Sequence, residues 1–344
     1  VDTADLPALD AALAAAKTAA TVRCDVSWKR VTGTNILARI SDGSDEPAED
    51  PQDALPIVFH AYYDSISVVP DLAPGAEQAC GAATLLELAR YFRDADTRRP
   101  VWVLFTAGHG QALTGMMTFA SALRNDLKQT AVPPGTPAAV LGTPGLFVGI
   151  DLSTGSDRYG VFSFGRFRQQ AEHKLRPKFS VLGVQLADYA STLLAAEREA
   201  AGETPDAEEE AEKPEDGALV DCINLTRGRG WWTYFPYQAP FESEIPVVAG
   251  FPAITLGTVN DDRRYVDTPG DTFERLRFDR LSRQIKAEPG TRIGLAAVSE
   301  ALTQWSGPFV SKPLLDVWAT LSGRVVWLDQ ERNYTPNEPL NGAM

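Results

Sequence analysis

The sequence predicts an α/β protein of three layers, with helices on both faces of a mainly parallel sheet. Ile57–Phe59, Val101–Phe105 and Leu146–Ile150 read IVF, VWVLF and LFVGI. Continuous apolar runs of this kind suit parallel strands buried on both faces, not half-solvated strands that alternate. The first run passes through a Pro- and Gly-containing loop into Leu85, Leu86, Leu88 and Ala89, which recur at helical spacing. Composition agrees: 344 residues with 44% apolar and 23% charged content suit one large α/β domain with additions, or two domains.

The elements follow in order. Leu6–Ala20 is an Ala-rich helix, and Thr21–Ile40 reads as two strands about a Val-Thr-Gly-Thr turn. Ser41–Ala54, rich in Asp, Glu and Pro, is a surface loop before the central strand. After the helix ending near Arg93 and the strand Val101–Phe105 comes a Gly-His-Gly turn, then a helix over Gly115–Leu127 whose methionines and Phe119 belong to the core. Pro133–Pro144 reads as loop, Leu146–Leu152 as strand and Phe179–Glu199 as a long amphipathic helix. Residues 201–217, AGETPDAEEEAEKPEDG, lack apolar anchors and read as an acidic loop or linker, with an acidic partner-binding segment as the other reading. Gly228–Phe241 concentrates Trp231, Trp232, Tyr234 and Phe241; these rings either pack under a long loop or form a binding patch. Phe251–Gly257 is a last buried strand, covered by a helix over Arg275–Ala287.

Several function classes are excluded or disfavoured. The formal charge of −14 argues against a nucleic-acid surface, which needs clustered Lys and Arg. No run of 18 apolar residues occurs, so no transmembrane segment is expected. Cys24, Cys80 and Cys222 have no CxxC spacing, which gives neither a disulfide framework nor a zinc knot; Cys80 reads as a small buried residue. The chain begins at Val1 without an initiator Met or a leader, as expected of a processed chain or a piece of a longer one.

Chemistry concentrates where the strands end. In parallel α/β sheets ligands sit past the carboxyl ends of the strands, which puts Tyr62, Asp64, Glu77 and Gln78 on the functional rim. The ordered set Ala61-Tyr62-Tyr63-Asp64-Ser65, Gly75-Ala76-Glu77-Gln78, Ala107-Gly108-His109-Gly110, Gly149-Ile150-Asp151 and Tyr265-Val266-Asp267-Thr268 resembles the motif series of the co-catalytic zinc exopeptidase superfamily. That superfamily includes aminopeptidases and the non-catalytic nicastrin-like proteins. The resemblance covers roughly residues 34–280 and implies a three-layer α-β-α zinc-exopeptidase-like domain over 1–310. The end of the chain, 318–344, resembles the first strands of a carboxypeptidase-regulatory-like β-sandwich. Such modules imply an extracytoplasmic place, exported or on the outer or luminal side of a membrane.

Residue by residue, the resemblance puts the first ligand His on Tyr62 and keeps its orienting Asp as Asp64. The bridging Asp falls on Gln78 or Glu77, the catalytic base on Gly108 and the next carboxylate ligand on His109. The ligand Asp is kept as Asp151 and the final ligand His falls on Asp267. A glycine cannot move a proton, and a co-catalytic metal pair needs several well-placed N/O ligands and a base. The first reading is therefore a pseudo-enzyme: a peptidase-like domain with no metal and no cofactor, serving binding or scaffolding with a protein or peptide partner. The second is a metal-dependent aminopeptidase-type hydrolase with a rearranged site, in which Glu77, His109, Asp151 and Asp267 surround one metal such as zinc. In the first reading Tyr62 fills the lost ligand's space and its hydroxyl bonds a rim carboxylate, Asp151 or Asp267.

Overall fold

The computed structural model describes residues 30–45, 48–165, 172–200, 219–224, 231–234, 240–285 and 295–310, with residues 7, 10, 11, 14 and 314 and the pairs 326–327 and 338–339. The chain divides into two compact units, Val1–Thr32 and Gly33–Met344. In the first, residues 7, 10, 11 and 14 are helical, within the expected Ala-rich helix; the strand expected after Thr21 lies outside the described residues.

The second unit is built on seven strands: β1 (Ile36–Ser41), β2 (Ile57–Tyr62), β3 (Val101–Thr106), β4 (Leu146–Asp151), β5 (Tyr159–Phe162), β6 (Leu219–Asp221) and β7 (Ala253–Thr258). They lie in the order β1-β3-β2-β4-β7-β5-β6. The β2–β3, β2–β4, β4–β7 and β5–β6 pairs are parallel, while β1 on β3 and β5 on β7 run antiparallel. The three apolar runs thus form interior strands, and none stands at an edge.

Helices cover both faces. Alternate β2 side chains point to opposite sides. On one side Phe59 stacks on Phe92 of α1 (Ala79–Asp94) with ring centroids 5.2 Å apart. Gly81 brings α1 against β4, since a Cβ there would stand 2.6 Å from the Ile150 carbonyl oxygen. On the other side Phe147 meets Phe119 of α2 (Thr114–Leu127) edge-on at 6.4 Å and Phe251 at 5.9 Å. Pro133–Pro144 is not all loop: Thr136 caps a short helix, α3 (Pro137–Leu141), by accepting from the Ala139 N–H. The long helix α4 (Glu172–Ala200) packs on β6 and on α8 (Leu295–Thr303). Between them in sequence lie α5 (Trp231–Tyr234), α6 (Glu244–Ala249), which packs on α2 and β7, and α7 (Phe278–Ile285). Two short strands, β8 (Val326–Trp327) and β9 (Glu338–Pro339), pair antiparallel within the segment resembling a β module; the rest of 318–344 lies outside the described residues. Residues 201–217 also lie outside them.

The amino ends of the strands are tied by a buried arginine. Arg99 is fully buried and donates to Asp53 Oδ1 at 3.1 Å and to the carbonyls of Trp305 at 2.9 Å and Gly307 at 2.8 Å, while lying 4.6 Å over the Phe309 ring. Asp53 is held below the usual carboxylate range, first by the Gly307 N–H bond and also by Arg98 and Arg99. Arg99→Leu removes one of the two arginines that face Asp53 and leaves the buried Trp305 and Gly307 carbonyls without this donor, so a loss of about 1–3 kcal/mol of unfolding free energy is expected in urea titrations at neutral pH.

Candidate functional site

The site lies at the carboxyl ends of β2, β3, β4 and β7, where the main chain leaves the sheet and its polar groups need partners. Tyr62 ends β2, and its ring lies flat on His109, with centroids 3.7 Å apart and planes 23° from parallel. Burial raises the Tyr62 phenol well above its ordinary value, and the charge of Asp151 raises it further. Its expected rim acceptors are otherwise engaged: Asp151 accepts from Arg263, and Asp267 Oδ1 accepts from Gln78 Nε2 at 2.6 Å.

Asp64 lies two residues past the end of β2. Its two oxygens accept from the backbone N–H groups of Gly108 at 3.0 Å and His109 at 3.2 Å, holding the turn after β3. Gly108 has φ +75°, a left-handed backbone that disfavours a side chain, and its carbonyl accepts from the Thr114 N–H at the start of α2. The position to which a catalytic base would align is thus a backbone turn. Glu77 stands at the end of the loop between β2 and α1 and accepts from the Thr154 N–H at 2.7 Å and from the Thr154 hydroxyl. Burial raises the pKa of Glu77 despite those two bonds.

Three participants were not among the residues singled out from sequence. Glu242, just before α6, is buried between His109 Nδ1 at 3.5 Å and His60 Nδ1 at 3.6 Å, and Thr106 donates its hydroxyl to Oε2 at 2.6 Å. Burial alone would push its pKa up, but attraction from His109 and His60 outweighs this and brings it to about 2. His60 lies within β2, and Glu242 carries no sequence signal beyond following the aromatic stretch. Arg263 puts Nη1 2.7 Å from Asp151 Oδ1 and donates from Nη2 to the Asp151 carbonyl at 2.9 Å. Asp261 closes the set, accepting from the Ser153 hydroxyl at 2.7 Å, the Gly155 N–H at 2.9 Å and the Arg263 N–H at 3.0 Å.

The aromatic patch takes a different form from a binding surface where it is described. Tyr234 and Phe241 are both buried and pack with Phe162, Phe164, Val220 and Val259 in a second core cluster. They are interior because β5 and β6 present apolar side chains, Phe162 and Val220 among them, against which these two rings pack. The side chains of Trp231 and Trp232 lie outside the described residues.

One cleft at the site, of about 220 Å³, is lined by Tyr62, Gln78, His109, Asp151, Arg263 and Asp267 among others. Its donor set does not fit a co-catalytic metal pair. Glu77, His109, Asp151 and Asp267 face Thr154, Glu242, Arg263 and Gln78 respectively, so they do not converge on one point. Among the described residues no group of three or more His, Cys, Asp or Glu side chains is placed to hold a metal ion.

Comparison with known proteins supports the resemblance carried by the motifs. Residues 35–188 match the model of peptidase family M28, a span that includes Tyr62 to Asp151 but not Glu242, Arg263 or Asp267. The chain thus resembles the co-catalytic zinc exopeptidases in fold. Among solved structures, an aminopeptidase from Aneurinibacillus sp. strain AM-1 is 15% identical with a TM-score of 0.42, covering 81% of this chain and 50% of that one. A zinc aminopeptidase from Bacillus subtilis is 11% identical with a TM-score of 0.37, covering 75% and 52%. Nicastrin, a gamma-secretase component, is 13% identical with a TM-score of 0.47, covering 81% and 44%. The chain therefore spans about half the length of these solved structures. No curated protein matches it.

The buried Glu242 generates a pH-dependent expectation. Its folded pKa of about 2 lies below the ordinary 4.5, so its stabilising contribution is present above 4.5 and is lost as pH falls through about 2. Glu242→Gln should destabilise the protein by about 1–3 kcal/mol near neutral pH. The gap between wild type and variant should narrow between pH 4.5 and 2 in chemical denaturation; a gap independent of pH over that range would count against an ionised Glu242.

Proposed function

We propose that this chain is a peptidase-like domain without peptidase chemistry, retained for binding or scaffolding with a protein or peptide partner. The observation that carries the reading is the stack of Tyr62 on His109, 3.7 Å apart, at the ends of β2 and β3. Two rings in van der Waals contact occupy the ground where the resemblance puts a metal ligand and its neighbour. Beside them Gly108 offers no group that can take a proton from water. The rim loops keep the order of a peptidase, while the side chains bond to one another instead of converging on a reacting centre.

The rearranged hydrolase is disfavoured by the same geometry, since each of its four candidate ligands is directed at another protein group. The resemblance of 318–344 to an extracytoplasmic module supports an exported or membrane-attached parent protein. Among the described residues no helix is long and apolar enough to cross a membrane.

Wild-type protein incubated with zinc and freed of excess ion should retain less than about a tenth of an equivalent, and should not hydrolyse aminoacyl substrates. Tyr62→His alone should restore neither property, because Gly108 still supplies no base and Gln78 no bridging carboxylate. Tyr62→His with Gln78→Asp, Gly108→Glu, His109→Glu and Asp267→His rebuilds the motif set and is expected to raise zinc uptake in isothermal titration. Stoichiometric zinc with aminopeptidase turnover in the wild type, or after the single change, would sink the reading.

A further inference from the structure

Asp151 is the one ligand-type carboxylate that the motif series keeps unchanged, and it ends β4 in the middle of the sheet with its side chain almost buried. An ionised carboxylate there needs a counter-charge, which a bound metal supplies in a metal-dependent site. Here the charge comes from Arg263, five residues past the end of β7, the strand beside β4. Its guanidinium contacts Asp151 twice, through the carboxylate at 2.7 Å and the main-chain carbonyl at 2.9 Å. Burial opposes the charged form of Arg263, but Asp151 and its neighbours outweigh this and raise its pKa.

The backbone is bent to deliver that contact. Arg263 has φ +43°, a conformation non-glycine residues rarely adopt, and its N–H is held by Asp261 Oδ1 at 3.0 Å. Asp261 is itself fixed by Ser153 and Gly155, just past the end of β4. The segment after β7 is therefore clamped to the segment after β4, with the guanidinium at the centre of the clamp.

We propose that Arg263 is a tethered counter-ion that takes a metal's place at Asp151, joins the rims of β4 and β7, and keeps a hard divalent cation out of this cleft. This rests on the non-catalytic reading above. Without the guanidinium, the almost buried Asp151 carboxylate and its main-chain carbonyl lose their shared donor and leave hard oxygen atoms of the type that Ca²⁺ or Mg²⁺ takes more readily than zinc does.

The test is thermal unfolding with and without millimolar CaCl2 or MgCl2, in wild type, Arg263→Ala, Arg263→Lys, Arg263→Gln, Asp151→Asn/Arg263→Ala and Asp151→Asn/Arg263→Gln. Wild-type Tm should not respond to the cation. Arg263→Ala should unfold earlier and recover by about 2–4 °C on adding cation, a response absent when Asp151 is also replaced. If Arg263→Ala does not fold, the neutral pair Asp151→Asn/Arg263→Gln should lose less Tm than Arg263→Gln alone, and Arg263→Lys should stay near wild type. A wild type that responds to cation as strongly as Arg263→Ala overturns the assignment, as does an Arg263→Ala response that survives loss of Asp151. So does a neutral pair that loses as much as Arg263→Gln. Aminoacyl hydrolysis by a cation-indifferent wild type would instead overturn the non-catalytic reading alone.

Discussion

A carboxylate taken out of water must be given donors or an opposite charge, at a desolvation cost of several kcal/mol per ion if it is not. That constraint organises both ends of this sheet. At the amino ends Asp53 is met by Arg99, Arg98 and the Gly307 N–H, and the chain from Trp305 to Phe309 is drawn across the strand starts as a result. At the carboxyl ends Asp151 is met by Arg263, Glu242 by His60, His109 and Thr106, and Glu77 by Thr154. Each carboxylate is answered by a group from a distant part of the chain, so the loops above the strands cannot move independently.

The consequence for chemistry is direct. A metallohydrolase leaves its carboxylates and imidazoles pointing at a shared position, where an ion can polarise water. In this chain Asp151 is met by an arginine, Asp267 by an amide and Glu77 by a hydroxyl and an N–H, while Tyr62 stacks on His109. The fold's loops persist because the packing of β2, β3, β4 and β7 holds them, and that packing is indifferent to whether Tyr62 or a ligand stands at the end of β2. The core sits within the strands and the rim groups sit past their ends, so the fold does not depend on which side chains stand there.

The interior strands were legible because strands buried on both faces read as unbroken apolar runs. Tyr159–Phe162 and Leu219–Asp221 were not recognised as strands, since four and three residues are too short for a pattern to separate from loop. The helix at Pro137–Leu141 was missed for a similar reason, as a single capped turn within a Pro- and Gly-rich stretch. Tyr234 and Phe241 left two readings open, and only their packing against the side chains of β5 and β6 decided that they are core.

The sequence by itself determined the layer order, the strands that run through the middle, and the positions that stand on the rim, because periodicity and motif order are local properties of the chain. It also set the side chains available there, a glycine at 108 and a phenol at 62. Only the tertiary structure decided which group each rim residue faces. Arg263 and Asp151 are 112 residues apart, and Glu242 and Thr106 are 136 apart. No local pattern encodes such partners, because they meet only when the parallel strands bring their carboxyl ends together.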